Sequence, residues 1–92
     1  MKKSKLIRNL WDFVNKYELE LKIHVRENVY FGESNLTLYY CTLDAYLKDG
    51  NMIQPIVEND NSINDALEKL ARSIQNKIIT INKREIEVPT LS

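Results

Sequence analysis

Leu6, Ile7, Leu10, Trp11, Val14 and Tyr17 recur at spacings of three and four, with Lys3, Arg8, Asp12 and Lys16 among the polar positions. That period predicts an amphipathic helix from Ser4 to Lys16 with its apolar stripe facing a core. Ser4 has the side chain of an N-cap, whereas Lys5 and Arg8 oppose the dipole in the first turn. The period then falls to two. Leu19, Leu21, Ile23 and Val25 alternate with Glu20, Lys22, His24 and Arg26, the pattern of a strand with one buried and one solvated face. Phe31 to Asn35 reads as a turn, and a second strand follows through Leu36, Leu38 and Tyr40. Its phase is ambiguous near Tyr39-Tyr40-Cys41, which leaves a bulge or an early end open, and Leu43, Tyr46 and Leu47 have the spacing of one helical turn.

Asp49-Gly50 is a hairpin signal, because glycine reaches the positive φ that such a turn requires. A third strand is expected from Met52 to Val57. Pro55 has no backbone donor, which places that strand at an edge or shortens it. Glu58-Asn59-Asp60-Asn61 is a polar connection into a second helix, with Ser62 as N-cap and Asp65 in the capping-box position. Ile63, Ala66, Leu67, Leu70, Ala71 and Ile74 form its apolar stripe. Asp65–Lys69 and Glu68–Arg72 are acid-before-base pairs at a spacing of four, and Asn76 suits the C-cap. Ile78 to Ile81 is a β-branched run, Asn82-Lys83-Arg84 a turn, and Glu85 to Val88 a final alternating strand before Pro89. The order α-β-β-β-α-β-β predicts one α+β domain over residues 1–92. Its expected form is a mainly antiparallel sheet of about five strands with two helices on one face.

At 43% hydrophobic and 28% charged residues the composition is that of a globular protein. No apolar run approaches the roughly 18 residues that span a bilayer, and Arg8 and Asp12 interrupt any signal-peptide core, so a cytoplasmic protein without membrane contact is expected. Asn, Ile and Lys, at 10, 10 and 9 residues, have A/T-rich codons and point to an AT-rich source genome. Net charge is zero, which disfavours a general nucleic-acid binder. The charges are segregated, however: +3 over residues 1–32, −6 over 33–68 and +3 over 69–92.

Catalytic chemistry finds little to use. His24, the only histidine, falls on the polar phase of the first strand without marked partners, and Cys41, the only cysteine, sits among apolar neighbours. One Cys and one His do not make a zinc site. Glu58, Asp60 and Asp65 lie close in sequence but lack a calcium-loop pattern, and an N-cap approach explains them equally. The two isolated glycines, Gly32 and Gly50, cannot build a phosphate loop. The expectation is a non-enzyme with no catalytic residue, no metal and no cofactor.

What remains is binding. Adjacent strand residues point to opposite faces, so Tyr39 and Tyr40 cannot both enter one core. Exposed tyrosines suit protein interfaces. Tyr30, Tyr39, Tyr40 and Tyr46, with the acidic Glu33, Asp44, Asp49, Glu58 and Asp60, form the candidate partner-binding set, an acidic and tyrosine-bearing surface.

Ser62-Ile63-Asn64-Asp65-Ala66-Leu67-Glu68-Lys69-Leu70-Ala71, followed by Lys77 to Asn82 and Arg84 to Pro89, resembles the C-terminal block of small uncharacterised proteins of phages and prophages of low-GC Gram-positive bacteria. Those proteins end in an "ALE-LA" helix, a short strand and an "REI-VP-L" strand. The resemblance covers a third of the chain. It departs in a shorter link between the last two strands and in Gln75-Asn76-Lys77 where a Ser-Gly-Lys turn is usual. It implies a phage origin and supplies no activity or site residue. With it, the expected function is to bind and inhibit a host protein in the bacterial cytoplasm, most concretely as an anti-CRISPR-like inhibitor of a CRISPR effector complex, as a monomer or a homodimer. The alternative is an accessory protein of phage replication, recombination or transcription. Its nucleic-acid face would combine Lys2, Lys3, Lys5 and Arg8 with Lys77, Lys83 and Arg84.

Overall fold

The computed structural model describes residues 4–31 and 34–92. The elements are α1 (Lys5–Lys16), β1 (Leu21–Phe31), β2 (Ser34–Asp49), β3 (Met52–Asp60), α2 (Ile63–Ile74), β4 (Ile78–Ile81) and β5 (Arg84–Glu87), so the α-β-β-β-α-β-β order and the α+β class are as expected. Ser4 caps α1, its hydroxyl accepting from the Ile7 amide at 3.5 Å, and Ser62 caps α2, accepting from the Asp65 amide at 3.1 Å.

All strand pairing is antiparallel and centres on β2. Residues 39–43 of β2 pair with both β1 and β3, and residues 46–48 with both β3 and β4. Because a strand has two edges, β3 holds one, while β1 and then β4 hold the other in succession; β5 follows β4. The change of partner occurs at Asp44-Ala45, two extra residues of β2 opposite the Ile56–Pro55 step of β3. There the Asp44 amide donates to the Glu20 carbonyl at 2.8 Å. Pro55 pairs only toward β2, in an edge strand, as its missing donor requires. The helical turn allowed for Leu43, Tyr46 and Leu47 does not form, and the irregularity lies at 44–45 rather than at 39–41. An insertion of two residues preserves the side-chain phase, whereas one would invert it. Cys41, Leu43, Ala45 and Leu47 therefore face the same side throughout.

Two tight turns rest on positive φ. Gly50 takes 61° between the paired Asp49 and Met52, and Asn82 and Lys83 take 48° and 65° between the paired Ile81 and Arg84. The second turn has both central residues left-handed, which matches the right-handed twist of its strands. The turn expected at Phe31 to Asn35 falls between Phe31 and Ser34, which pair, with Gly32 and Glu33 outside the described residues. Asn76, at φ 61°, ends α2 one residue past its C-cap Gln75.

Register places the buried strand residues Cys41, Leu43, Ala45, Ile56, Ile79 and Ile86 on one face, and both helices pack there. α2 lies across β2 and β3, with α1 beside it. Leu10, Leu70, Ile74 and Ile79 are fully buried. Phe13, not Trp11, completes the α1 stripe, its ring 5.0 Å from that of Tyr17, and Trp11 is half-buried. The tail joins the same core. Leu91 is buried, its carbonyl accepts from Asn9 Nδ2 at 2.7 Å, and its amide donates to Gln75 Oε1 at 3.0 Å. The result is a two-layer slab of 43 × 34 × 19 Å. No helix among the described residues is long and apolar enough to cross a membrane.

Truncating a fully buried residue removes packing and leaves a void. Leu70→Ala is expected to cost about 2–5 kcal/mol in urea denaturation, whereas Ile53→Ala, on an exposed position, is expected to cost less than about 0.5 kcal/mol.

Candidate functional site

A sheet covered on one side leaves two kinds of exposed strand surface. One is the whole outer face. The other is any part of the inner face that extends beyond the helices. Both exist here, and the candidate tyrosines and acids divide between them.

On the outer face, register sets Tyr40, Thr42, Asp44, Tyr46 and Lys48 of β2 beside Ile53, Pro55, Val57 and Asn59 of β3. Lys22, His24 and Arg26 of β1 flank one end, and Ile78 and Thr80 of β4 with Glu85 and Glu87 of β5 the other. Ile53 is 61% exposed, Tyr46 52% and Val57 44%, and Pro55 between them is exposed. Lys48 Nζ reaches Glu85 Oε1 across β4 at 2.9 Å. The bulge opens a shallow depression of about 150 Å³ lined by Lys22, Thr42, Asp44, Tyr46 and Pro55.

On the inner face, Ile23 pairs across Cys41 to Glu58, and Val25 across Tyr39 to Asp60. Leu21 is half-buried, but Ile23 is 38% and Val25 51% exposed, because the helices lie over β2 and β3 rather than over β1. The buried phase expected for Ile23 and Val25 is thus correct in direction, and the cover is missing. Tyr39 packs half-buried against the core at the border of this ledge, beside the first turn of α2 with its exposed Ile63. Asp60 holds the acidic corner. The Asn61 amide bonds to its Oδ1 at 2.6 Å, and Lys69 Nζ lies 3.5 Å from its Oδ2. The bond from Asn61 is the main cause, and the Lys69 charge a further one, that holds the Asp60 carboxyl below its usual range. Lys69 also donates to the Asn59 carbonyl at 3.0 Å, so it turns toward β3 and not to Asp65, the partner that helical spacing suggested. The Glu68–Arg72 pair forms as expected, at 3.3 Å. Glu58, half-buried, makes no ion pair with the described residues.

The proposed set therefore does not form one surface. Tyr40, Asp44 and Tyr46 share the outer face. Tyr39, Glu58 and Asp60 share the inner ledge. Asp49 stands exposed at the end of the β2–β3 hairpin, and Tyr30 pairs through its backbone with Asn35 toward the far end of the β1–β2 hairpin. The Tyr30 side chain and Glu33 lie outside the described residues. The described acids of the −6 segment are likewise spread over both faces and α2 rather than gathered into one acidic patch.

Ile23, Val25, Ile53 and Val57, the apolar part of both surfaces, carried no sequence signal of exposure. Alternation identifies their faces but not where the helix layer ends. Of the basic face proposed for nucleic acid, Lys2 and Lys3 lie outside the described residues, and Arg8 and Lys77 stand apart. Arg8 lines a groove with Asn64 and Leu67 in the first turns of α2, whereas Lys77 follows its last turn, a helix length of about 18 Å away. Cys41 is fully buried, and burial raises its thiol pKa.

Comparison with models of protein families, with curated proteins and with solved structures gives no match.

Two outcomes follow for these side chains. Because the folded Asp60 pKa lies below the ordinary value of 3.8, the carboxylate stabilises the fold above that pH, and the contribution is lost as pH falls through the folded value. The difference in thermal midpoint between the wild type and Asp60→Asn is expected to be present at pH 7 and to shrink below pH 3.8. The Cys41 thiol is expected to resist a thiol-exchange reagent at neutral pH in the folded chain and to react at the rate of a free thiol in denaturant.

Proposed function

We propose that this chain is a protein-binding module that inhibits a host protein, and that the inner ledge of Ile23, Val25, Tyr39 and Ile63, flanked by Glu58 and Asp60, is the surface that meets the target. One observation carries this reading: apolar strand residues on the core-facing phase stand 38% and 51% exposed, beside strand acids. Uncovered apolar surface rimmed by charge is a common form of protein interaction site. Lys69 compensates Asp60, and Glu58 has no ion-pair partner among the described residues, so the ledge favours an apolar patch with a basic neighbour for Glu58.

The phage-type resemblance of the C-terminal third makes a host protein the natural target. A CRISPR effector is the most concrete case, since the channel that holds its nucleic acid is positively charged. The β1–β2 hairpin, extending past the helix layer, offers a ledge with access to such a channel.

The test is a cleavage assay with a purified RNA-guided nuclease of a low-GC Gram-positive host, alongside affinity purification from that host. The expected result is stoichiometric inhibition or a defined host complex that Val25→Glu and Glu58→Lys each weaken at least about tenfold, with Asp49→Lys neutral. A target bound equally by all three variants, or neither inhibition nor a host complex, contradicts the proposal.

A further inference from the structure

We infer that the free edge of β1 takes up an extended segment of the target as a further strand, and that this segment alternates apolar and acidic side chains. The inference rests on the ledge proposed above as the target surface, and it names the part of the target that reaches it.

β1 pairs with β2 along one edge, and none of the described elements pairs with the other. The bond from the Asp44 amide to the Glu20 carbonyl fixes which groups face that open edge. In an antiparallel ladder alternate residues turn both N–H and C=O to the partner strand. Glu20 does so, and hence so do Lys22, His24 and Arg26, in register with Thr42, Tyr40 and Leu38. The N–H and C=O groups of Leu21, Ile23 and Val25 point the opposite way, and among the described residues they have no partner. Such a row is a template for another strand. The other outer strands, β3 and β5, are protected by devices that β1 lacks. β3 contains Pro55, and its Asn59 carbonyl accepts from Lys69 Nζ at 3.0 Å. β5 has only 4 residues. Leu21 to Arg26 runs without proline for about 20 Å before the bulge at Glu27-Asn28.

The side chains of β1 form two rows that specify what the added strand carries. On the inner phase Ile23 and Val25 stand 38% and 51% exposed, and a strand about 4.8 Å away sets its own inner side chains against them. On the outer phase Lys22, His24 and Arg26 form a basic row whose cross-strand neighbours Thr42, Tyr40 and Leu38 carry no charge. Lys22 pairs with Glu20 at 3.6 Å and shares the bulge depression with Asp44. His24 and Arg26 make no ion pair with the described residues, and acids on the added strand supply their partners. Glu27, the acid of β1, stands in the bulge beyond the run. The same row excludes a second copy, because pairing two β1 edges about a two-fold axis sets both basic rows on one face. Glu58 belongs to the inner phase, so one target can offer a base to it and acids to the outer row.

The probe is an acetylated and amidated peptide of eight residues with Val and Glu alternating, titrated into the full chain by amide NMR with no host protein present. The expected result is a dissociation constant below about 1 mM, with the largest shifts and slowed amide exchange at Leu21, Ile23 and Val25. The Val–Lys counterpart is expected to bind at least about threefold more weakly. His24→Glu with Arg26→Glu, both at exposed positions, is expected to reverse that preference while circular dichroism stays unchanged. N-methylation of every second peptide residue is expected to abolish binding in one phase and to leave it in the other, as a strand bonded along one edge requires. Absence of saturable binding, equal binding of the Glu and Lys peptides, or tolerance of both methylation patterns overturns the inference. Peptide binding without any host complex upholds the edge and counts against the host target. A host complex without peptide binding does the reverse.

Discussion

One constraint organises this molecule: β2 keeps a single side-chain phase over its whole length while it exchanges partners. Cys41, Leu43 and Ala45 are buried and Leu47 half-buried on the same face, although β1 gives way to β4 between them. The insertion at Asp44-Ala45 makes this consistent, since two residues shift register without inverting the faces. A one-residue bulge would have turned Leu47 and Lys48 over, placing a charge against α2 and a leucine in water. All the packing of α1, α2 and the tail rests on that continuous apolar row.

The same constraint creates the exposed surfaces. Two helices of 12 residues each, about 18 Å long, cannot cover a sheet whose central strand has 16 residues in a slab 43 Å long. Cover is concentrated over β2 and β3, and the tail closes the gap between α1 and the end of α2 through Gln75 and Asn9. β1 is left with apolar residues on the inner phase and no helix above them. None of the described elements covers the outer face, yet it carries Ile53, Pro55, Val57 and Tyr46. On the outer face Lys22 pairs with Glu20 and Lys48 with Glu85, whereas on the ledge Lys69 pairs with Asp60 and Glu58 has no ion-pair partner among the described residues.

Much of the fold was legible in the chain because its signals are local. Ser4 and Ser62 cap as their side chains require, Gly50 and Asn82-Lys83 turn where turns were expected, and Pro55 marks an edge strand. Where the reading failed, a non-local fact decided. Leu43, Tyr46 and Leu47 have helical spacing, but the alternation of Tyr39, Cys41, Leu43, Ala45 and Leu47 fits a strand just as well, and pairing on both edges settles it. Phe13 replaces Trp11 in the core because the tail, through Leu91, packs on that side of α1. The candidate site was legible by residue type and not by grouping. Tyr39 and Tyr40 were expected to point apart, and they do, which divides the binding set between two faces. Lys69 turns to Asp60 because β3 runs on through Glu58, Asn59 and Asp60, where a polar connection was expected, and brings them alongside α2.

The claim that β2 keeps one side-chain phase across Asp44-Ala45 is tested most directly by side-chain NOE spectroscopy of the chain. The account predicts contacts to the apolar core from Leu43, Ala45 and Leu47, and none from Asp44 and Tyr46. Core contacts from Tyr46 with Leu47 in water would contradict it.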